Sequence, residues 1–178
     1  GLDDIRSINN LIGRPLPAFA HHDVLARIEE RFPYAFAGGQ DGVGGFWRPE
    51  LLPRPFSGTE PFSIGPVELR PLRHGHGRSH VWGFRIGDFA YSTDADELDD
   101  AYLEALNGID VWVVDALRDD PHPSHSHLVK TLGWIDRVKP RLAYLTHMNH
   151  EVDYATWQAK LPRGIAPAHD GLVIEVDG

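Results

Sequence analysis

The chain contains no cysteine among its 178 residues. Disulfide bonds and thiolate metal ligands are therefore excluded, and any bound metal must be held by nitrogen and oxygen atoms. No apolar run approaches the roughly 20 residues that a membrane span requires, and no signal peptide is visible. These absences favour a soluble protein of a reducing compartment, and we predict a cytoplasmic location without a membrane partner.

Positive charge is also scarce, since 17 Lys and Arg residues stand against 26 Asp and Glu residues, a net charge of -9. Binding along a nucleic-acid backbone requires a basic surface, so this balance argues against a nucleic-acid partner. A small anionic substrate remains compatible, because a bound metal adds positive charge that the count omits. The length and the hydrophobic content of 42% predict a single domain over residues 1–178.

Histidine, in contrast, is abundant, with 11 residues, six of which lie between His74 and His127. Two apolar runs that read as β-strands stop at a potential metal ligand, one at Asp94 and the other at His147. A third candidate, His76, precedes the first of these strands. Imidazole and carboxylate groups delivered from strand ends into one cleft are typical of an open, hydrolytic metal site. The pattern therefore predicts an enzyme.

Each of these residues also has a plainer structural interpretation. Asp94 or Asp96 could cap a helix predicted at residues 96–106. A histidine at a strand end, such as His147, is commonly a structural residue, and its spacing to His150 arises often by chance. His74 and His76 lie on one side of an extended segment, which could be a polar loop. The individual motifs leave these alternatives open.

A group of three histidines at residues 122–127 opens another predicted helix, just after a strand that ends at Asp115. A histidine at a helix N-terminus could donate a proton or contact a phosphate, and a solvated turn is the alternative. Asp115 could orient a metal-binding histidine. Arg118 could contact a phosphate or form a surface ion pair with an aspartate at position 119 or 120.

The remaining pattern predicts an α/β protein with sheets sandwiched by helices. Helices are predicted at residues 23–31, 96–106, 126–138 and 154–161, and strands at residues 67–72, 81–86, 89–92, 111–114, 141–145 and 172–176. A long loop rich in glycine and proline is predicted at residues 36–55.

Taken in order, these motifs resemble the metallo-β-lactamase-fold hydrolases, and within them the phosphoribosyl cyclic phosphate phosphodiesterase (PhnP-like) branch. The resemblance covers nearly the whole chain. It is carried by GLDDIR at 1–6, HG at 76–77, GFRIG at 83–87, YSTD at 91–94, DALR at 115–118, PHPSH at 121–125, LTH at 145–147 and AHDGL at 168–172.

The resemblance implies an α/β (α+β) fold, the metallo-β-lactamase αββα sandwich, with two divalent metal ions, zinc or manganese. In that family Asp94 would bridge the two ions, and His76 and His147 would each hold one. The ions would hold a bridging hydroxide that attacks a phosphodiester in a small cyclic phosphate or nucleotide-like substrate.

The resemblance also implies residues that act on the substrate. His125 would donate a proton to the leaving oxygen or contact the phosphate, and His150 and Arg118 would help to bind the substrate. The alternatives are a tRNA 3′-end-type nuclease of the same fold and a non-catalytic nucleotide-binding protein that has lost the family's metal-binding signature.

One departure from the family pattern is large, because the signature His-x-His-x-Asp-His is absent. His21, His22 and Asp23 do not have its spacing. We therefore expect that this chain represents the C-terminal two-thirds of the family domain and lacks part of its N-terminal half. On that interpretation the fragment alone binds metal weakly and is inactive or impaired, and its incomplete sheet edges favour a homodimer.

Overall fold

The computed structural model describes residues 1–38 and 45–176. The chain divides into two compact units, Gly1–Glu60 and Pro61–Gly178. The single domain expected over residues 1–178 stays a prediction. None of the helices in the described part of the chain is long and apolar enough to cross a membrane.

The first unit combines two helices with a small parallel sheet. A 3₁₀ turn at Leu2–Asp4 leads into its first helix, and the two strands pair in register from Leu16 opposite Leu51 to His21 opposite Phe56. Its elements are α1 (Ile5–Ile12), β1 (Leu16–His21), α2 (His22–Arg31) and β2 (Leu51–Phe56).

This sheet corrects part of the sequence-based prediction. The helix expected at residues 23–31 is α2, but β1 was not predicted, and residues 51–55 of the expected long loop belong to β2. Prolines within both strands hide the strand pattern, because proline removes a backbone donor and is tolerated only where a sheet is narrow or at an edge. Residues 39–44 of the expected loop lie outside the described residues.

The second unit is built on a seven-stranded sheet in the order β3 to β9 along the chain. Its strands are β3 (Phe62–Ile64), β4 (Val67–His76), β5 (Ser79–Ile86), β6 (Phe89–Ser92), β7 (Val111–Asp115), β8 (Leu142–Thr146) and β9 (Ile165–Pro167). Its helices are α3 (Asp100–Ala105), α4 (Leu128–Val138) and α5 (Tyr154–Lys160). The mixed α/β class that the sequence predicts is confirmed.

Strand direction in this sheet determines where the polar strand ends lie. β5 is antiparallel to both β4 and β6, so those two run in the same direction. β6, β7 and β8 are mutually parallel neighbours. The carboxyl ends of β4, β6, β7 and β8 therefore meet at one edge of the sheet, the place where open α/β sheets commonly bind ligands.

The core of the second unit surrounds β7, which is buried at every position. Such a continuous apolar run is typical of a strand covered on both faces. Trp112, Leu145 and Trp157 are almost completely buried in this core. The tight packing gives the carboxyl ends of β7 and β8 a rigid base.

Two expected elements of this unit differ from the structure. The helix predicted at residues 96–106 is the shorter α3, whose cap is Asp99, which accepts a hydrogen bond from the Tyr102 amide. The prediction that Asp94 or Asp96 caps this helix is therefore wrong. The strand predicted at residues 172–176 is wrong, because the segment has no strand partner and Val173 is 82% exposed. Apolar alternation alone is a weak predictor of a strand, because strand formation also depends on a neighbouring strand and on packing.

Candidate metal centre

The candidate ligands predicted from the sequence arrive at one edge of the seven-stranded sheet. His76 is the last residue of β4, Asp94 follows the end of β6 by two residues, and His147 directly follows β8. His125 lies in the connection between β7 and α4. Residues from four separate segments of the chain thus meet in one place.

Their side chains are close enough to share a metal ion. His76, Asp94 and His125 each offer a ligand atom, and these three atoms lie within 4.8 Å of one another. The Nε2 atom of His147 lies 3.5 Å from Oδ1 of Asp94, and its ring stacks on that of His125 at 4.6 Å between centroids. The placement of His125 within ligand distance was not foreseen from the sequence, which assigned that residue to the substrate.

Hydrogen bonds determine which ring nitrogen faces the site. Nδ1 of His76 lies 2.7 Å from the main-chain carbonyl of Ser124, and Nδ1 of His125 lies 3.0 Å from Oδ2 of Asp115. Both partners are oxygen acceptors, so both Nδ1 atoms carry the proton and donate it. With the proton on Nδ1, the Nε2 atom of each ring is left to bind a metal or accept a proton through its lone pair.

The carboxylate of Asp115 connects two of the loops that carry ligands. It is completely buried at the end of β7 and accepts hydrogen bonds on Oδ2 from both the His125 ring and the Ala95 amide, the latter at 2.9 Å. The hydroxyl of Ser126 donates a hydrogen bond to the main-chain carbonyl of Asp115 at 2.6 Å. Asp115 therefore has the contacts of a residue that orients a histidine, as the sequence suggested.

Two of the candidate ligands have an unusual backbone conformation. Asp94 has a φ of 55° and His147 a φ of 65°, both in the left-handed region that residues other than glycine seldom adopt. Such a conformation costs about 1–3 kcal/mol and persists where surrounding contacts impose it, often at functional sites. Here the Ser126 amide donates to the Ala95 carbonyl at 2.6 Å, which fixes the turn that follows Asp94.

His74 lies beneath the site and is buried against α3. Its ring meets that of Tyr102 edge-on at 5.4 Å, and its Nδ1 lies 3.2 Å from the Gly75 carbonyl. Burial lowers the pKa of His74, because the charged imidazolium loses its hydration. Within the described residues its Nε2 atom has no hydrogen-bond partner. His74 thus belongs to the core rather than to the ligand set.

A further histidine, His122, lies beside this group. Its ring centroid is 5.2 Å from that of His125, and its Nδ1 accepts a hydrogen bond from the Ser124 amide at 3.3 Å. Desolvation, followed by the neighbouring charge of His125, lowers the pKa of His122. The sequence drew attention to its segment without distinguishing this residue from the other histidines there.

Two further residues, Arg118 and His150, were predicted from the sequence to bind the substrate. Arg118 forms an ion pair with Glu151 at 3.1 Å and donates hydrogen bonds to the carbonyls of Asp120 and Pro121. The surface pair that the sequence suggested is therefore made with Glu151 and not with an adjacent aspartate. His150 is exposed in the turn after His147. The proposed roles of Arg118 and His150 in substrate binding stay predictions.

A second group of potential ligands occurs in the first unit. His21, His22 and Asp23 are consecutive, and their ligand atoms also lie within 4.8 Å of one another. His22 Nδ1 lies 3.0 Å from the Asp23 carboxylate, but both side chains are more than half exposed. The Asp23 amide donates a hydrogen bond to Nδ1 of His21, so His21 is the N-cap of α2.

Comparisons with known proteins agree with this fold. A family model described as β-lactamase superfamily domain matches residues 1–148. A solved structure described as a new diphosphatase from the PhnP family is 29% identical, with a TM-score of 0.86, over 99% of this chain and 66% of that chain. The metallo-β-lactamase fold protein YhfI from Bacillus subtilis is 17% identical, with a TM-score of 0.71, over 97% of this chain and 72% of that chain.

One curated relative carries a different name. The octanoyltransferase of Porphyromonas gingivalis (strain ATCC BAA-308 / W83) is 28% identical over 180 residues, which cover 99% of this chain. The chain spans 35% of the length of that protein and 66% of the diphosphatase.

Proposed function

The chain belongs to the β-lactamase superfamily, and we propose that the full-length protein is a metal-dependent hydrolase of phosphoester bonds in a small phosphorylated substrate. The metallo-β-lactamase fold and the likeness to the PhnP family, both predicted from the sequence, are confirmed. The substrate, the metal and the mechanism that follow are our proposal.

One observation carries the proposal most directly. Side chains of His76, Asp94 and His147 come from three different strand ends and meet at one edge, where two of the three residues have a left-handed backbone. A structural role alone does not explain why three strand ends carry metal-binding groups in this geometry. Strain together with convergent ligands is typical of a functional site.

The residues present fit a divalent cation. Imidazole nitrogen and carboxylate oxygen suit both zinc and manganese, and the His76 hydrogen bond to the Ser124 carbonyl leaves its Nε2 available. His76, Asp94 and His147 would hold the metal. When bound, the metal supplies Lewis acidity and lowers the pKa of water, which favours hydrolysis of a phosphoester. We propose two ions for the intact protein, as the family resemblance implies.

His125 and Asp115 form a pair suited to moving a proton. Asp115 accepts the Nδ1 proton of His125 and is shielded from solvent, so it would stabilise the imidazolium that forms when Nε2 takes up a second proton. His125 would then release that proton to the leaving oxygen. The buried carboxylate also keeps the ring in one orientation.

Two substrate classes are compatible with this site. The family resemblance favours a small cyclic phosphodiester, whereas the name of the 29%-identical structural neighbour describes a diphosphatase, which acts on a diphosphate. Both reactions displace an oxygen from phosphorus, and negative charge develops on the displaced oxygen. Both would therefore use the same metal ligands and the same proton donor. We retain the cyclic phosphodiester as the first candidate and the diphosphate as the second.

The net charge of -9 argues against a tRNA 3′-end nuclease, which would need a basic surface for its substrate. A non-catalytic nucleotide-binding protein would not need strained metal-binding residues. The cytoplasmic location and a homodimer also stay predictions.

The proposal is tested by assaying the full-length protein, loaded with zinc or manganese, against cyclic phosphodiesters and diphosphates in parallel. We expect release of a phosphomonoester or phosphate that chelation abolishes and metal restores. Absence of turnover on both classes, by protein whose metal content has been verified, would contradict the proposed function.

A further inference from the structure

We propose that His122 is a substrate-binding residue that donates its Nε2 proton to an oxygen of the phosphoryl group. This inference rests on the proposed function for the identity of the substrate. It separates two tasks, because His125 would move the proton while His122 would bind the anion.

The first step concerns the main chain of Ser124. Its carbonyl accepts the Nδ1 proton of His76 at 2.7 Å, while its amide donates to Nδ1 of His122 at 3.3 Å. A neutral imidazole has one donor and one acceptor nitrogen, and the partner of one nitrogen determines the role of the other. Because Ser124 accepts a hydrogen bond from one ring and donates to the other, the two neutral rings carry their proton on different nitrogens. The proton is on Nδ1 in His76 and on Nε2 in His122.

The second step follows from these tautomers. His76 and His125 present a lone pair at Nε2, which suits a metal ion or a proton. His122 presents an N–H group at Nε2, which suits an anionic oxygen and repels a metal ion. Of these three neighbouring histidines, His122 is the one whose neutral ring is prepared to bind an anion.

The third step is position. The His122 ring lies 5.2 Å from that of His125, which in turn lies 4.7 Å from that of His76 and 4.6 Å from that of His147. A phosphoryl group close enough to receive a proton from His125 would thus also lie next to His122.

The loop that carries His122 is itself held in place. The guanidinium of Arg118 donates hydrogen bonds to the carbonyls of Asp120 and Pro121, the two residues before His122, and pairs with Glu151. Arg118 would therefore act on the substrate indirectly, by holding this loop. A neutral donor on a fixed loop binds an anion without the cost of ordering a flexible side chain.

The test uses inorganic phosphate as the ligand and full-length, metal-loaded protein. His122→Ala should weaken phosphate binding by about tenfold or more, the loss expected for one hydrogen bond to a charged group. KM should rise by a similar factor, while kcat falls less and the metal content stays unchanged. His122→Gln, which keeps an N–H donor, should recover part of the affinity. His127→Ala, in the same segment, is the matched control and should bind phosphate as the wild type does.

The ring tautomers provide a second measurement that needs no substitution. Nitrogen-15 NMR of the histidine rings should show the proton of His122 on Nε2 and that of His125 on Nδ1. Unchanged phosphate affinity and KM in His122→Ala, or an Nδ1 proton on His122, would overturn the inference. Phosphate binding that depends on His122 without turnover would contradict only the proposed function. Turnover that is indifferent to His122→Ala would contradict only this inference.

Discussion

Two groups of histidine and aspartate side chains in the described part of the chain could hold a metal ion, and they are built differently. The group at the edge of the seven-stranded sheet, which we call the supported group, consists of His76, Asp94 and His125 with the neighbouring His147. Its members come from distant segments of the chain, and a main-chain carbonyl and a buried carboxylate orient the rings of His76 and His125. The group of His21, His22 and Asp23 is consecutive in sequence, and two of its side chains are largely exposed. Proximity of ligands is common to both groups, whereas the first is built by contacts between segments distant in sequence and the second by adjacent residues, two of which are largely exposed.

The largest effect is expected from removal of a ligand in the supported group. His147→Ala should reduce metal binding and turnover by more than about 100-fold, the upper end of what loss of a supporting partner costs. His22→Ala makes the same substitution in the exposed group and should leave both quantities within about twofold. Metal analysis after dialysis, together with initial rates, measures both. Equal losses in the two variants would remove the distinction between the groups.

A smaller loss is expected when a supporting residue is changed. Asp115→Asn replaces the carboxylate that accepts the His125 and Ala95 protons, and should cost about 10–100-fold in metal affinity or activity. Asp110→Asn is the matched control, because Asp110 precedes the same strand and forms an exposed ion pair with Arg141. Isothermal titration calorimetry with zinc compares the zinc affinities of the two variants. If Asp115→Asn binds zinc as tightly as Asp110→Asn does, the buried carboxylate does not orient the site.

The contact between two loops of the site can be tested with a pair of glycines. Gly77 has a φ of 58°, and a Cβ there would meet the Ser124 Cβ at 3.0 Å; Gly87 has a φ of 55° and open space around it. Alanine at either position should cost about 1–2 kcal/mol of stability through backbone strain. Only Gly77→Ala should also shift the Ser124 carbonyl that holds His76 and so weaken zinc binding. Calorimetric unfolding and zinc titration measure the two effects, and equal zinc affinities would contradict the prediction.

The smallest effect concerns a tyrosine in each unit at alkaline pH. Burial raises the pKa of Tyr102 above its ordinary value of 10.0, so the folded protein keeps this proton longer than the unfolded chain does. The resulting stability is complete below pH 10.0 and is lost as the pH rises further, by at most about 1.4 kcal/mol per pH unit for one proton. Tyr102→Phe should flatten the pH dependence of unfolding above pH 10.0.

Tyr34 is the control in the first unit. A hydrogen bond to Asp3 raises its pKa, but its hydroxyl is in contact with solvent, so Tyr34→Phe should change the pH dependence much less. Denaturant titrations from pH 9 to 11 compare both variants with the wild type. A flatter profile for Tyr34→Phe than for Tyr102→Phe would contradict the prediction.

The sequence singled out candidate ligands because buried parallel strands are continuous apolar runs, and a polar residue that ends such a run is conspicuous. Asp94 and His147 were recognised in this way. The tautomers could not be predicted, because they depend on contacts such as that between His76 and a carbonyl 48 residues away. The strands β1 and β2 were missed because their prolines resemble loop residues.

The segment at residues 172–176 shows the opposite error. Its alternation of apolar and polar residues is that of a strand, yet it pairs with none of the strands in the described part of the chain. Sequence periodicity reports what a segment can form, whereas the partner that completes it is a property of the folded chain.

The central claim is that the supported group at the sheet edge is the metal centre. Crystals of the full-length protein grown with zinc, measured at wavelengths on both sides of the zinc absorption edge, test it directly. We predict an anomalous peak in contact with Asp94 and with His76 or His147. A peak confined to His21, His22 and Asp23, or no peak at the sheet edge in crystals that contain zinc elsewhere, would contradict the account.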